Sequence, residues 1–131
     1  MKRGGILNPD LADALARLGH TDALVVCDAG LPIPSDVRRI DLAVCPGVPR
    51  FLDVLRAIVA EIVVERAVVA SELRERCPET YEALRSALGA VPIEEVPHER
   101  FKARTTVARA VVRTGEFTPY ANVVLYAGVP F

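Results

Sequence analysis

The chain contains only two histidines, His20 and His98, and they are its natural candidates for acid–base chemistry. An unperturbed imidazole has a pKa of about 6.5, so it can release and take up protons near neutral pH. His20 follows Gly19 at a predicted helix end and precedes an apolar segment; the alternative role there is a surface cap of the helix C-terminus. His98 follows Pro97 at a predicted helix start, where the alternative is a cap or an exposed loop residue.

Further polar residues stand at predicted strand ends and in the adjoining segments. Asp28 closes an apolar run and opens a loop rich in glycine and proline, so its carboxylate can accept hydrogen bonds from hydroxyl groups or form an Asx turn. Tyr120 and Asn122 flank Ala121 before the last strand, and residues two apart on an extended chain face the same side. Both can therefore reach one ligand, or Asn122 can fix the turn while Tyr120 packs. Lys102 can bond a hydroxyl group or remain a solvated lysine.

The hydrophobic pattern predicts strands that alternate with helices along the whole chain. Strands are predicted over 22–28, 39–44, 62–70, 91–96, 107–113 and 122–127. Helices are predicted from Asn8 to a stop at Gly19, over 49–60, from Ser71, over 78–89 and over 98–105. This order predicts an α/β fold: one domain over 1–131, built as a three-layer α/β/α sandwich around a largely parallel or mixed sheet. Ligands of such sheets usually bind at the carboxyl ends of the strands.

Composition excludes several classes of function. The 131 residues include 16 basic and 17 acidic side chains, giving a net charge of -1, so no basic field is expected to attract nucleic acid or a membrane surface. Aromatic residues make up only 5% and tryptophan is absent, which argues against stacking on single-stranded nucleic acid. The motifs GxGxxG, GxxxxGK[ST] and GxSxG do not occur. The hydrophobic fraction of 51% favours burial of apolar surface between copies of the chain.

The cysteines and the apolar segments predict a cytoplasmic protein without a metal site. Cys27, Cys45 and Cys77 are odd in number and lack metal-ligand spacing, so neither a disulfide framework nor a metal centre is expected. Lys2 and Arg3 are not followed by an apolar stretch of signal-peptide type. The apolar runs are too short to span a bilayer.

Four stretches together resemble the D-ribose pyranases, a family related to the L-fucose mutarotases. They are LNPD at 7–10, RLGHTD at 17–22, VVCDAGLPIP at 25–34 and GEFTPYANVVLYAGV at 115–129. The third and fourth are the specific ones, and the segments GLPIP and TPYAN favour the pyranase branch over the fucose branch. The order and spacing of the stretches extend the resemblance over the whole chain.

The resemblance implies an isomerase that interconverts the pyranose and furanose forms of D-ribose without a cofactor. It implies that His20 is the proton donor, and that the sugar is held by a set of residues, namely Asp28, His98, Lys102, Tyr120, Ala121 and Asn122. It also implies a homo-oligomer, a decamer of two pentameric rings with sites at subunit contacts. The alternatives are a mutarotase for another sugar such as L-fucose, a non-catalytic sugar-binding module that accompanies a transporter or kinase, and an oligomeric scaffold.

Overall fold

The computed structural model describes all residues from 1 to 131, and its centre is a single six-stranded sheet. The strands are β1 (Ala23–Cys27), β2 (Arg38–Asp41), β3 (Val64–Ala70), β4 (Ile93–Val96), β5 (Ala110–Arg113) and β6 (Val123–Ala127). The helices are α1 (Pro9–Ala16), α2 (Phe51–Val59), α3 (Ser71–Arg76), α4 (Pro78–Leu88) and α5 (His98–Thr105). No helix is long and apolar enough to cross a membrane.

The sheet is mixed because one strand is reversed. Its order is β2-β5-β1-β6-β3-β4, and β6 is antiparallel to both of its neighbours, β1 and β3. The other adjacent pairs are parallel. The start of β6 therefore lies at the edge where the other strands end, which we call the carboxyl edge. The end of β6 lies at the opposite edge, which we call the amino edge.

Helices cover both faces of the sheet unequally, which confirms the three-layer α/β/α prediction. A core of 22 buried residues packs one face against α1, α2, α3 and α4. A smaller core of 13 packs the other face against α5 and the segment 31–37. Alternation along β1 supplies both cores, since Leu24 and Val26 face the larger one while Val25 and Cys27 face the smaller one. Burial raises the pKa of the Cys27 thiol to about 12, as expected for a core cysteine.

The first helix starts where the sequence predicts and ends earlier. The Asn8 side chain accepts a hydrogen bond of 2.9 Å from the Leu11 amide, and Pro9 occupies the first turn. The helix ends at Ala16 with Arg17 as its C-cap, so the predicted stop at Gly19 is wrong. The Asp22 carboxylate instead binds the Gly19 amide at 2.9 Å and holds residues 19–22 in a turn.

All six strands are shorter than predicted, by one to three residues. β2 ends at Asp41 instead of at residue 44, because Val44 and Cys45 turn back to bond Val48 around the Pro46–Gly47 corner. β5 begins at Ala110 instead of at residue 107. The predicted helix over 98–105 is confirmed at both ends.

Candidate active site

A pocket of about 520 Å³ opens at the carboxyl edge of the sheet. Its walls come from the segments that follow β1, β4 and β5 and from the approach to β6. Twelve residues line it: Asp28, Ala29, Gly30, Leu31, Pro32, His98, Arg113, Glu116, Phe117, Thr118, Pro119 and Tyr120. The pocket therefore brings together Asp28, His98 and Tyr120 of the predicted site, at the edge where α/β sheets usually bind ligands.

Asp28 is fixed on both of its carboxylate oxygens. Oδ1 accepts hydrogen bonds of 2.9 Å from the Gly30 and Leu31 amides, which is the predicted Asx turn. Oδ2 accepts one of 3.1 Å from Nδ2 of Asn122. The Asp28 amide in turn donates to Oδ1 of Asn122 at 2.8 Å. The carboxylate at the end of β1 is thereby held rigidly at the pocket wall.

Asn122 and Ala121 lie behind the pocket wall. Both are fully buried, and the side-chain amide of Asn122 uses its oxygen and its nitrogen on Asp28. Asn122 thus fixes the local structure, which is one of the two roles that the sequence suggested. It does so by holding Asp28, a carboxylate that lines the pocket. The backbone at Tyr120 turns sharply, with a φ of 64°, and its carbonyl accepts a hydrogen bond of 2.7 Å from the Asn122 amide.

His98 stands at the first turn of α5 and faces the Tyr120 ring edge to face, with ring centroids 5.1 Å apart. Both carboxylate oxygens of Glu72 accept hydrogen bonds from the His98 amide, at 3.2 and 3.0 Å. Burial raises the pKa of the Glu72 carboxyl, but hydrogen bonds and the nearby His98 outweigh it, so the net pKa lies below its usual value. Glu72 therefore acts as a charged cap that sets where His98 stands.

Lys102 lies one turn further along α5 and does not line the pocket. Its ammonium group is 2.8 Å from Oε1 of Glu99, an exposed carboxylate on the same helix. This is the solvated-lysine arrangement that the sequence left open.

Glu116 is a pocket residue that the sequence did not single out. Its Oε1 accepts hydrogen bonds from the Thr118 amide at 3.1 Å and from the Thr118 hydroxyl at 2.9 Å, and its Oε2 accepts one from the Phe51 amide at 3.2 Å. Burial raises the pKa of the Glu116 carboxyl, and these hydrogen bonds reverse the effect and hold it below its usual value. The carboxylate thereby ties the loop before Tyr120 to the start of α2.

Arg113 is the second pocket residue that sequence reasoning missed. Its Nε donates to the Ala29 carbonyl at 3.0 Å, and its Nη1 lies 3.0 and 3.1 Å from the Asp41 carboxylate oxygens. It joins the Asp28 loop to β2. Its position at the end of β5 could have identified Arg113 from the sequence, because polar residues at strand ends are candidate ligand-binding residues in such a fold.

His20 lies at the other side of the molecule, on the amino edge. It precedes β1 while Asp28 follows it, and five residues of extended strand alone separate the two by about 13 Å. Its Nε2 is 2.8 Å from Oε2 of Glu65, at the start of β3. Within one chain, His20 therefore does not share a pocket with the 120–122 segment, and its side-chain partner is Glu65.

No group of three or more His, Cys, Asp or Glu side chains lies close enough together to hold a metal ion. The three cysteines are unpaired. The ionisable groups of the two edges are carboxylates, imidazoles and guanidinium groups, which suit hydrogen bonding to hydroxyl groups and proton transfer.

The chain is similar to several known proteins in sequence and in fold. The model of the RbsD / FucU transport protein family matches residues 1–130. A D-ribose pyranase of Geobacillus kaustophilus is 53% identical over 131 residues, which is 100% of this chain and 96% of that protein. Bacillus subtilis RbsD complexed with D-ribose is 48% identical with a TM-score of 0.96, and the match covers 100% of both chains. Streptococcus pneumoniae fucose mutarotase in complex with L-fucose is 26% identical with a TM-score of 0.82 over 95% of each chain.

Proposed function

The chain belongs to the RbsD / FucU transport protein family, and from that membership we propose that it is an isomerase interconverting the pyranose and furanose forms of D-ribose. The observation that carries this proposal is identity of about half the residues, over the complete chain, with proteins named D-ribose pyranase. The pocket at the carboxyl edge supports it, because fixed carboxylate, imidazole and phenol groups there can bind several hydroxyl groups of a monosaccharide.

The proposed reaction proceeds through the open aldehyde. The imidazolium of His20 gives a proton to the ring oxygen, and the bond from C1 to that oxygen breaks with its electron pair going to the oxygen. The anomeric hydroxyl gives its proton to a solvent water as the C1=O bond forms. The C4 hydroxyl then attacks C1 and gives its proton to the neutral imidazole of His20, while the carbonyl oxygen takes a proton from water and becomes the new anomeric hydroxyl. One C–O bond breaks and another forms, and all other changes are proton transfers, so general acid–base groups suffice.

We assign sugar binding to the carboxyl edge. Asp28, His98 and Tyr120 would contact hydroxyl groups directly, since they line the pocket. Asn122 and Ala121 would shape the wall from behind, because both are fully buried. Lys102 would reach the sugar only by leaving Glu99, which an exposed ion pair permits at little cost.

The separation of His20 from the pocket supports a site built from two subunits. We propose that the amino edge of one subunit, with His20, packs over the carboxyl-edge pocket of the next. Both edges carry exposed apolar side chains suited to such a contact: Phe117 is 68% exposed beside the pocket, and Phe131 is 99% exposed beyond the end of β6. A head-to-tail contact of this kind closes into a ring when its rotation divides a full turn, which is the geometry that the proposed decamer of two pentameric rings requires. The unpaired cysteines support a cytoplasmic location.

NMR exchange spectroscopy on D-ribose tests the activity directly. Added protein is expected to speed exchange between pyranose and furanose signals, because the proposed catalyst lowers the barrier to ring opening in both directions. The same measurement on L-fucose tests the second candidate function, anomer exchange in that sugar, which the fucose-bound structural relative suggests. Binding of ribose without faster exchange would identify a non-catalytic sugar-binding module and contradict the proposal.

Substitution of Asn122 by alanine is expected to weaken ribose binding and to lower stability by about 1–3 kcal/mol, because it leaves the half-buried amide and carboxylate of Asp28 without these partners. Ribose titration by calorimetry and urea unfolding measure the two effects. The other asparagine of the chain offers a matched control: Asn8→Ala removes the cap of α1 and costs about 1 kcal/mol, far from the pocket. Unchanged ribose affinity in folded Asn122→Ala protein would remove this residue from the site.

A further inference from the structure

The contact between His20 and Glu65 is the one charged contact of the His20 imidazole, and neither the sequence motifs nor the pocket accounts for it. Oε2 of Glu65 lies 2.8 Å from Nε2 of His20. The two side chains keep 36% and 55% of their surface exposed, respectively. Exposed pairs of this kind add little to stability, so stabilisation of the fold does not explain why the chain makes the contact.

The backbone at Glu65 is irregular in a way that directs its side chain. Along β3, Val64 pairs with Ala127 and Arg66 pairs with Tyr126, so Glu65 is an extra residue in the pairing with β6. A bulge of this type bends the strand locally and re-aims a side chain, and bulges are frequent next to active sites. Here the extra residue is the one that reaches His20.

The turn that carries His20 is also held in an unusual conformation. Thr21 has a φ of 69°, a region that a β-branched residue rarely adopts. Its amide donates to the Ala127 carbonyl at 2.8 Å, opposite the bulge, which fixes the turn to the end of β6. Strained residues of this kind persist where the surrounding structure holds them, and they cluster at functional sites.

Gly128 leaves space for the Glu65 strand segment. A Cβ atom at this position would lie 3.0 Å from Cγ1 of Val63 and 3.3 Å from Cβ of Glu65. Both distances are closer than ordinary van der Waals contact, so a side chain here would press on the segment that carries Glu65. Three separate features, the bulge, the Thr21 turn and the missing side chain at Gly128, thus converge on the placement of one hydrogen bond, between Glu65 and His20.

We propose that Glu65 is a positioning residue for His20, and that the imidazole exchanges protons with the sugar through Nδ1. The carboxylate accepts the hydrogen on Nε2, which selects the tautomer whose Nδ1 lone pair is free. Nδ1 gives a proton to the ring oxygen in the ring-opening half of the reaction and takes one from the C4 hydroxyl in the ring-closing half, while the Nε2–H bond to Glu65 stays intact. This inference rests on the proposed role of His20 as the acid–base residue.

Two variants and one control test the assignment in the assembled protein. Glu65→Ala removes the acceptor and is expected to slow ribose ring exchange at least tenfold at saturating sugar. This loss is a part of the rate acceleration of about 10²–10⁴-fold that an acid–base residue typically supplies. Glu65→Gln keeps an oxygen that can accept from Nε2 and is expected to recover part of the rate. Glu61→Gln is the matched control, because Glu61 lies at the same edge, binds the Ile6 amide and does not touch His20; it is expected to keep the parent rate.

A spectroscopic measurement separates positioning from a general structural role. With ¹⁵N-labelled histidine, neutral His20 is expected to carry its hydrogen on Nε2 in the parent protein and to lose this preference in Glu65→Ala, with little change in KM. An Nδ1–H tautomer in the parent, or a parental rate in assembled Glu65→Ala, would overturn the inference. If His20→Ala also kept the parental rate, the proposed role of His20 itself would fail, whereas a slow His20→Ala beside a fast Glu65→Ala would reject only the role of Glu65.

Discussion

His20→Ala protein is expected to fold and assemble like the parent but to exchange the ring forms of D-ribose about 10²–10⁴-fold more slowly. The loss is large because no other imidazole lies at the amino edge, and the fold is spared because the His20 side chain is 55% exposed and contacts only Glu65. NMR exchange rates at saturating ribose, with sedimentation to verify assembly, measure the effect.

The other histidine provides the comparison. His98→Ala is expected to act mainly on KM, since His98 lines the pocket and packs on Tyr120 without a proposed proton-transfer role. A folded, assembled His20→Ala protein that exchanges ribose as fast as the parent would rule out the proposed mechanism.

Mixing these two variants tests whether two subunits share each site. If His20 of one subunit serves the pocket of the next, a ring reassembled from equal parts of His20→Ala and His98→Ala chains contains about a quarter of intact sites. At ribose concentrations far below the KM of His98→Ala protein, where that variant is nearly inactive, activity is then expected to rise above that of either variant alone. A site contained in one chain would show no such recovery.

Gly115→Ala is expected to be the most destabilising single substitution at the pocket, by about 3 kcal/mol or more. A Cβ atom at this position would lie 2.2 Å from the Val48 carbonyl oxygen and 2.6 Å from its carbon and nitrogen. Backbone atoms cannot turn aside as a flexible side chain does. The Val48 backbone is further held by bonds of 2.9 Å to Val44 and Cys45, and Gly115 itself bonds Gly47 and Pro49.

Urea unfolding at equal protein concentration measures this effect, because the proposed assembly would make apparent stability depend on concentration. Gly4→Ala is the matched control, since a Cβ there meets nothing within 4 Å, and it should change stability little. We also expect Gly115→Ala to weaken ribose binding, because Glu116 and Thr118 follow directly and shape the pocket. Parental stability of Gly115→Ala would mean that the loops at 44–49 and 114–116 separate readily.

Local patterns in the sequence were sufficient for most of the fold. The buried run of β1, the cap at Asn8 and the helix over 98–105 depend on neighbouring residues, and each lies where it was predicted. The rule that ligands bind at the ends of strands likewise brought Asp28 and Tyr120 to one pocket. The separation of His20 from Asp28 was implicit too, since the two residues stand at opposite ends of β1.

Local sequence patterns could not predict the contacts between segments that are distant along the chain. Glu116 binds the start of α2 from 65 residues away, and Glu65 meets His20 only because a bulge displaces it from a valine-rich strand. Composition and periodicity carry no signal for either contact. Asn122 was found as a site residue, but its burial behind Asp28 depends on the pairing of the first and last strands.

Strand β1 has a consequence for how sugar preference can change in this family. Four of its five residues, Leu24 to Cys27, have no exposed surface, so the strand is a spacer of fixed length between the proposed proton-transfer group and the proposed binding wall of the same chain. In the proposed two-subunit site, the distance from imidazole to sugar is set by how neighbouring subunits dock, not by the interior of any one of them. Substitutions on the outer contact surface can thus retune which ring atoms the imidazole reaches while leaving the interior untouched.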